Sequence, residues 1–186
     1  YVQYASASAS GDTDSFNFVV VDNTVPNHYC SSVCMNNAEN VHIALQYCKE
    51  CGHTELGYLG STTGAENFNE RHIAFLRYVK ELNFQFDSKN EFRVKPTMLG
   101  AHDDFFRILD QNPVLPSCFF AENDTIALGA MKALKEKGYK IPNDVSLIGF
   151  DDIPYSSISS PTLTTIHVQR KIMGKQSVIQ LMQLIE

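Results

Sequence analysis

No run of lysines or arginines occurs anywhere in the chain, and the formal charge is −6. A surface that grips a nucleic-acid backbone is basic on at least one face, so this stretch is not expected to hold DNA by itself. No apolar run approaches the ~20 residues of a membrane span; Phe18 to Val21 is among the longest. Residues 1–14 carry neither the basic nor the apolar stretch of a signal peptide, and none is expected there. The chain also lacks a G-x-G-x-x-G or G-K-[ST] phosphate loop, so Gly57, Gly60 and Gly64 read as a turn after a strand. There is no nucleophile elbow and no metal-binding histidine pair. Asp151 and Asp152 are adjacent at a strand end, where neighbouring side chains diverge, so they do not read as paired catalytic carboxylates. Neither enzymatic activity nor a cofactor or metal is expected.

The five cysteines are too odd a number to pair internally, which favours a reducing cytoplasm. Cys30-x3-Cys34 and Cys48-x2-Cys51 have zinc-like spacing. Cys48, however, continues the apolar face of Val41, Ala44 and Leu45, where a free cysteine behaves as a small hydrophobe.

What remains is a foldable chain: 186 residues, 44% hydrophobic and 19% charged, enough for a real core. Residues 1–15, rich in Ser and Ala, read as a poorly specified lead-in. From residue 16 on, strand-like and helix-like segments alternate. Strands are expected at 16–22, 56–60, 92–95, 117–121, 145–150 and 164–168, and helices at 37–51, 69–82, 103–110, 124–137 and 171–185. Ile73, Leu76 and Val79 set the apolar repeat of the second helix. Gly52 and Gly138 are suitable helix stops, and Asp124 is a good N-cap. Strands that are apolar throughout and alternate with helices imply an α/β fold with a parallel sheet covered on both faces. In such sheets ligands bind at the carboxyl ends of the strands, which directs attention to Asp22, residues 61–66, Glu122–Asn123 and Asp151–Asp152.

One segment carries a more specific pattern. FFAENDTIALGAMKALKEKGYKIPNDVSLIGFDDIPYSSISSPTLTTIHVQ (119–169) resembles the lactose/galactose repressor family. There a strand ends in an Asn-Asp turn before a helix reading A-L-G, P-x-D-V-S leads into a strand ending G-[FY]-D-D, and P-x-L-T-T-I follows. VVVDN (19–23), NNAEN (36–40), CGHTELGYLG (51–60) and Arg71-x-x-Ala-Phe fit the same family in order. The resemblance implies a periplasmic-binding-protein-like fold of two parallel-sheet, Rossmann-like lobes with an effector between them. It assigns residues 1–35 to the tail portion of the N-terminal lobe, 36–166 to the C-terminal lobe and 167–186 to a return into the first lobe. The first lobe is incomplete and the DNA-binding headpiece is absent from this sequence.

By the same resemblance, the effector contacts fall on Asp22, Arg71, Asn123, Asp151 and Gln169, with Asn67, Phe68 and Tyr155 as further candidates. Ala74 follows Arg71 where the family more often has glycine, and Asn67 stands where Ser is frequent. These residue types suit a polyol. Carboxylates accept from hydroxyls, Asn and Gln both donate and accept, and Arg offers a planar fork for vicinal oxygens. An aromatic face usually completes a sugar site, from either Phe68 or Tyr155. Each has a plainer reading too: Asp22 as a turn cap, Arg71 as a solvated helix residue, Asn123 as a helix-entry residue. Asp152 is expected to cap or to bridge to the other lobe.

The function implied is a cytoplasmic, dimeric, sugar-responsive repressor that meets operator DNA through the headpiece, with no membrane partner. An exported sugar-binding protein of a transporter shares the fold, but the unpaired cysteines and the PTLTTI segment weigh against it. A purine or sugar-phosphate sensor is a third reading, disfavoured by the net acidity.

Overall fold

The computed structural model describes residues 2–5, 17–23 and 31–185. In chain order the elements are β1 (Val2–Ala5), β2 (Val19–Val21), β3 (Ser31–Met35), α1 (Asn37–Glu50), β4 (Gly57–Ser61), α2 (Glu66–Glu81), β5 (Glu91–Val94), α3 (Met98–Leu109), β6 (Cys118–Ala121), α4 (Asp124–Glu136), β7 (Ser146–Asp151), α5 (Pro154–Ile158), β8 (Thr164–His167) and α6 (Arg170–Ile185).

The strands form two sheets. The larger is ordered β5-β4-β6-β7-β8 and is parallel throughout. The smaller is ordered β1-β3-β2; β2 runs parallel to β3 and β1 antiparallel to it, pairing Val2 with Met35. β1 thus departs from the expectation of a featureless lead-in and of purely parallel sheets. Its place is set by register against β3, which its own Ser/Ala-rich surroundings do not announce. Helix α6 packs on β2 and β3, so the end of the chain rejoins the smaller sheet.

Helices cover both faces of the large sheet, and β6 shows why. Successive strand residues point to opposite faces. Phe119 enters a core with Phe105, Ile126 and Leu134 of α3 and α4. Phe120 enters another with Leu45, Tyr58 and Phe75, which α1, β4 and α2 supply. Each fully buried phenylalanine contributes ~1.5–3 kcal/mol by leaving water. α3 and α4 approach closely at Gly129, where a Cβ would lie 2.5 Å from the Met98 carbonyl oxygen.

Several element ends follow capping chemistry. Asn36 accepts from the Glu39 amide at the start of α1. Gly52 and Gly138 end α1 and α4 with φ of +90° and +88°, a backbone that glycine adopts without steric cost. The helices depart from expectation in places. α3 begins at Met98, several residues early, because Thr97 caps it by accepting from Gly100. In α2 the buried residues are Arg71, Ala74, Phe75, Tyr78 and Val79, while Ile73 is 68% exposed. Phe75, stacked on Phe120 and tilted against Tyr58, centres the inward face; Val79 is buried in the same core and Leu76 packs on it, so only Ile73 of the aliphatic repeat turns outward. The short α5, with Pro154 in its first turn, was not expected at all. Among the described residues no helix is long and apolar enough to cross a membrane.

Candidate functional site

The site gathers where β4, β6 and β7 end and the smaller sheet's β2 turns. Its centre is Arg71, which is 2% exposed despite lying on a helix. Nε donates to Asn37 Oδ1 at 2.9 Å, and Nη1 donates to the Glu122 carbonyl at 2.6 Å. The guanidinium lies 3.7 Å from the centroid of the Phe150 ring and 5.7 Å from that of Phe68, a stacked arrangement that suits its planar charge. Nη2 faces Asp151 Oδ1 at 3.6 Å. Burial pulls the Arg71 pKa down, while Asp151, Asp22 and Glu122 push it back up.

Asp151 closes β7 with φ of 113°, and Asp22 and Asp152 have φ of 60° and 51°. Positive φ is uncommon outside glycine, and such backbone tends to gather at functional sites. Burial raises the Asp151 carboxyl to about 6; Arg71 lowers it, and Asp124 and Asp22 raise it. Asp22 is exposed, and its amide donates to the Val33 carbonyl at 2.9 Å. Although its surface meets solvent, the protein that half encloses its carboxyl raises the pKa, opposed by Arg71 and aided by Glu70. The charges of Arg71 and Asp151 therefore reach a residue of the other sheet.

Asn123, half-buried, caps α4: its Oδ1 accepts from the Ile126 amide and the Thr125 hydroxyl, both at 2.9 Å. This corrects the assignment of the cap to Asp124, which is buried and does something else. Asp124 Oδ2 accepts from the Ile153 amide at 2.9 Å and the Ser156 hydroxyl at 2.7 Å, and Oδ1 accepts from Thr165 at 2.6 Å. It thereby clasps α4 to the turn after β7 and to β8. Gly149 makes room for it, since a Cβ there would lie 2.2 Å from Asp124 Oδ1. Gln169 is exposed at the entry to α6, its carbonyl accepting from Met173. Asn67 Oδ1 accepts from the Phe68 amide at 2.9 Å. Tyr155 sits apart on α5, 59% exposed, lining a groove with Met98, Leu128 and Ile158. Asp152 pairs with His167 at 2.6 Å.

Sequence reasoning did not assign roles to Asn37, Phe150 or Glu122. Glu122 is fully buried; its carboxylate accepts from Tyr58 and the Ser61 amide, each at 2.5 Å, and meets Arg93 at 3.2 Å. Burial raises its pKa and these three partners lower it. Asn37 stands inside NNAEN and Phe150 directly before Asp151, so proximity to the quoted motifs was the available signal. Among the described residues no three His, Cys, Asp or Glu side chains are placed to share a metal ion. Cys30 lies outside the described residues, so the Cys30–Cys34 spacing is not placed.

The periplasmic binding protein-like domain family matches residues 45–186. The HTH-type transcriptional regulator GalS of Salmonella typhimurium is 32% identical over 157 residues, covering 84% of this chain and 46% of that protein. The HTH-type transcriptional repressor PurR of Vibrio cholerae serotype O1 is 32% identical over 163 residues, covering 86% and 47%. The chain therefore spans about half the length of these relatives. Among solved structures, a LacI family transcriptional regulator from Lactobacillus casei with bound glucose superposes with a TM-score of 0.78 at 24% identity, covering 90% of this chain and 63% of that one. The chain belongs to the periplasmic binding protein-like domain family, in the form found in lactose/galactose-repressor-type regulators.

Proposed function

We propose that this chain is the effector-sensing part of a transcription repressor and that its effector is a sugar or sugar derivative. The observation that carries the reading is the open pair of Arg71 and Asp151. At 3.6 Å the two are too far apart for a hydrogen bond, so each keeps capacity for a ligand. A hydroxyl set against both accepts from Nη2 and donates to the carboxylate, the dual role that polyols supply. Asp22 adds an acceptor from the other sheet, the Asn123 amide nitrogen a donor, Gln169 both, and Phe68 an aromatic face; Asn67 and Tyr155 are outer candidates. Two carboxylates against one buried cation disfavour a phosphorylated ligand. The glucose bound to the Lactobacillus casei regulator supports the sugar class.

In this reading residues 1–35 and 167–186 belong to one lobe and 36–166 to the other, and ligand bound between them favours one lobe arrangement. The protein is a cytoplasmic homodimer, and its headpiece, outside these residues, meets the operator. Coupling is only as large as the ligand's differential affinity for the two arrangements. The test is fluorescence anisotropy of the full-length protein on its selected operator duplex, with and without each member of a sugar panel. One sugar should shift DNA affinity by about 5–150-fold; DNA affinity indifferent to every sugar that binds contradicts the proposal.

A further inference from the structure

At the end of the large sheet opposite Arg71, a cavity of about 420 Å3 opens between α1, the starts of β6 and β7, and the residues leading into β8. Cys48, Cys51 and Cys118, three of the five cysteines, line this one space together with His53. Cys51 is exposed at the end of α1, while Cys48 and Cys118 are buried. Their sulfurs stand 3.8 Å apart in a thiol–thiol hydrogen bond. Cys48 comes from the last turn of α1 and Cys118 is the first residue of β6. A disulfide needs sulfurs at about 2.05 Å, so closing the pair asks for less than 2 Å of side-chain travel beside open space.

We propose that Cys48 and Cys118 are a reversible dithiol–disulfide pair, oxidised by a small peroxide that enters through the cavity. Cys48 and Cys118 both line the cavity, so peroxide meets the pair from one space, and the first attack is written for Cys48. Cys48 sulfur displaces one oxygen of hydrogen peroxide: the S–O bond forms, the O–O bond breaks, and the departing hydroxide takes the thiol proton as water. Cys118 sulfur then attacks the sulfenic sulfur: the S–S bond forms, the S–O bond breaks, and the second proton leaves as a second water. Two thiols lose two electrons, and one peroxide becomes two waters. A thiol restores the pair by exchange.

The placement gives the reaction a consequence. The elements that would be tied here hold Arg71 at their other ends. Asn37 opens α1 and accepts from Nε, and Glu122 directly follows β6 and accepts from Nη1. The disulfide would fix the spacing of the two groups that aim the guanidinium.

The test oxidises the reduced, purified protein with hydrogen peroxide, alkylates it after unfolding and digests it with trypsin and chymotrypsin. These cut after Tyr47 and Lys49, separating Cys48 from Cys34 and from Cys51. A fragment joining Cys48 to Cys118 is expected, lost on treatment with dithiothreitol and retained in Cys51→Ser. The oxidised protein should also melt at a higher temperature. A Cys48–Cys51 link, oxidation confined to Cys51, or full alkylation of Cys48 and Cys118 would overturn the proposal.

Discussion

Arg71 Nη2 stands 3.6 Å from Asp151 Oδ1, while its other nitrogens are held at 2.9 Å and 2.6 Å by Asn37 and Glu122. The guanidinium is anchored on two sides and open on the third, which is how a preorganised ligand group differs from a merely structural salt bridge.

Asp151 carries the cost of that arrangement. Its folded pKa of about 6 lies above its ordinary 3.8, so protonation favours the fold. Stability should rise as pH falls from about 6 toward about 4, and ionised Asp151 costs on the order of 3 kcal/mol at neutral pH. Asp151→Asn, which tolerates the same positive φ, should raise the thermal midpoint at neutral pH and flatten that pH dependence while weakening ligand binding. A lower midpoint would mean that the ion pair stabilises the fold.

Arg71→Ala should behave oppositely. It leaves the Asn37 and Glu122 acceptors unpaired and the Asp151 and Asp22 charges uncompensated. Breaking a buried pair in this way costs about 3–5 kcal/mol. Urea denaturation should show that loss; a change below ~1 kcal/mol would place Arg71 at the surface.

Much of this was legible in the sequence, and the boundary is physical. The strands around the apolar runs 118–121 and 147–150 are bounded by polar residues, so their existence could be read locally, and their parallel pairing from the alternation with helices. Burial of Arg71 could not, because its partners are 34 and 51 residues away. The Asn-Asp dipeptide offers two capping residues, and local sequence does not choose between them. Asp124 is drawn from the cap by Ile153, Ser156 and Thr165, 29 to 41 residues distant. On α2, Val79 and Leu76 of the aliphatic repeat do meet the core, while Ile73 turns outward because Phe75 takes the inward place against distant aromatic partners on β4 and β6.

Asp124→Ala strips the acceptor from three donors at once, two of them side-chain hydroxyls. With ~1 kcal/mol or more per orphaned buried group, the loss should be at least about 3 kcal/mol by chemical denaturation. Gly149→Ala should cost a comparable amount, because its new methyl meets the Asp124 carboxylate. If Asp124→Ala were neutral, the clasp between α4 and β8 would not hold the lobe together.

His102 of α3 bonds Glu136 of α4 and its own neighbour Asp103, both at 2.8 Å. Those bonds raise its pKa above 6.5. Their contribution is complete below the unfolded pKa of about 6.5 and is lost as pH rises through the higher folded value. His102→Gln should therefore lower the thermal midpoint more at about pH 6 than at about pH 8.5. An equal loss at both would remove the charge from the explanation.

The central claim is that Asp22 and Asp151 close on a sugar from two sheets. Its most direct test is titration calorimetry of a sugar panel against the protein and its Asp22→Asn variant. The fold raises the Asp22 pKa, so at neutral pH the variant should melt no lower than the parent. The account predicts one sugar bound by the parent and bound at least about tenfold more weakly by the variant, a loss of ~1.4 kcal/mol. Equal affinity in both proteins, or no sugar bound by the full-length protein, would contradict it.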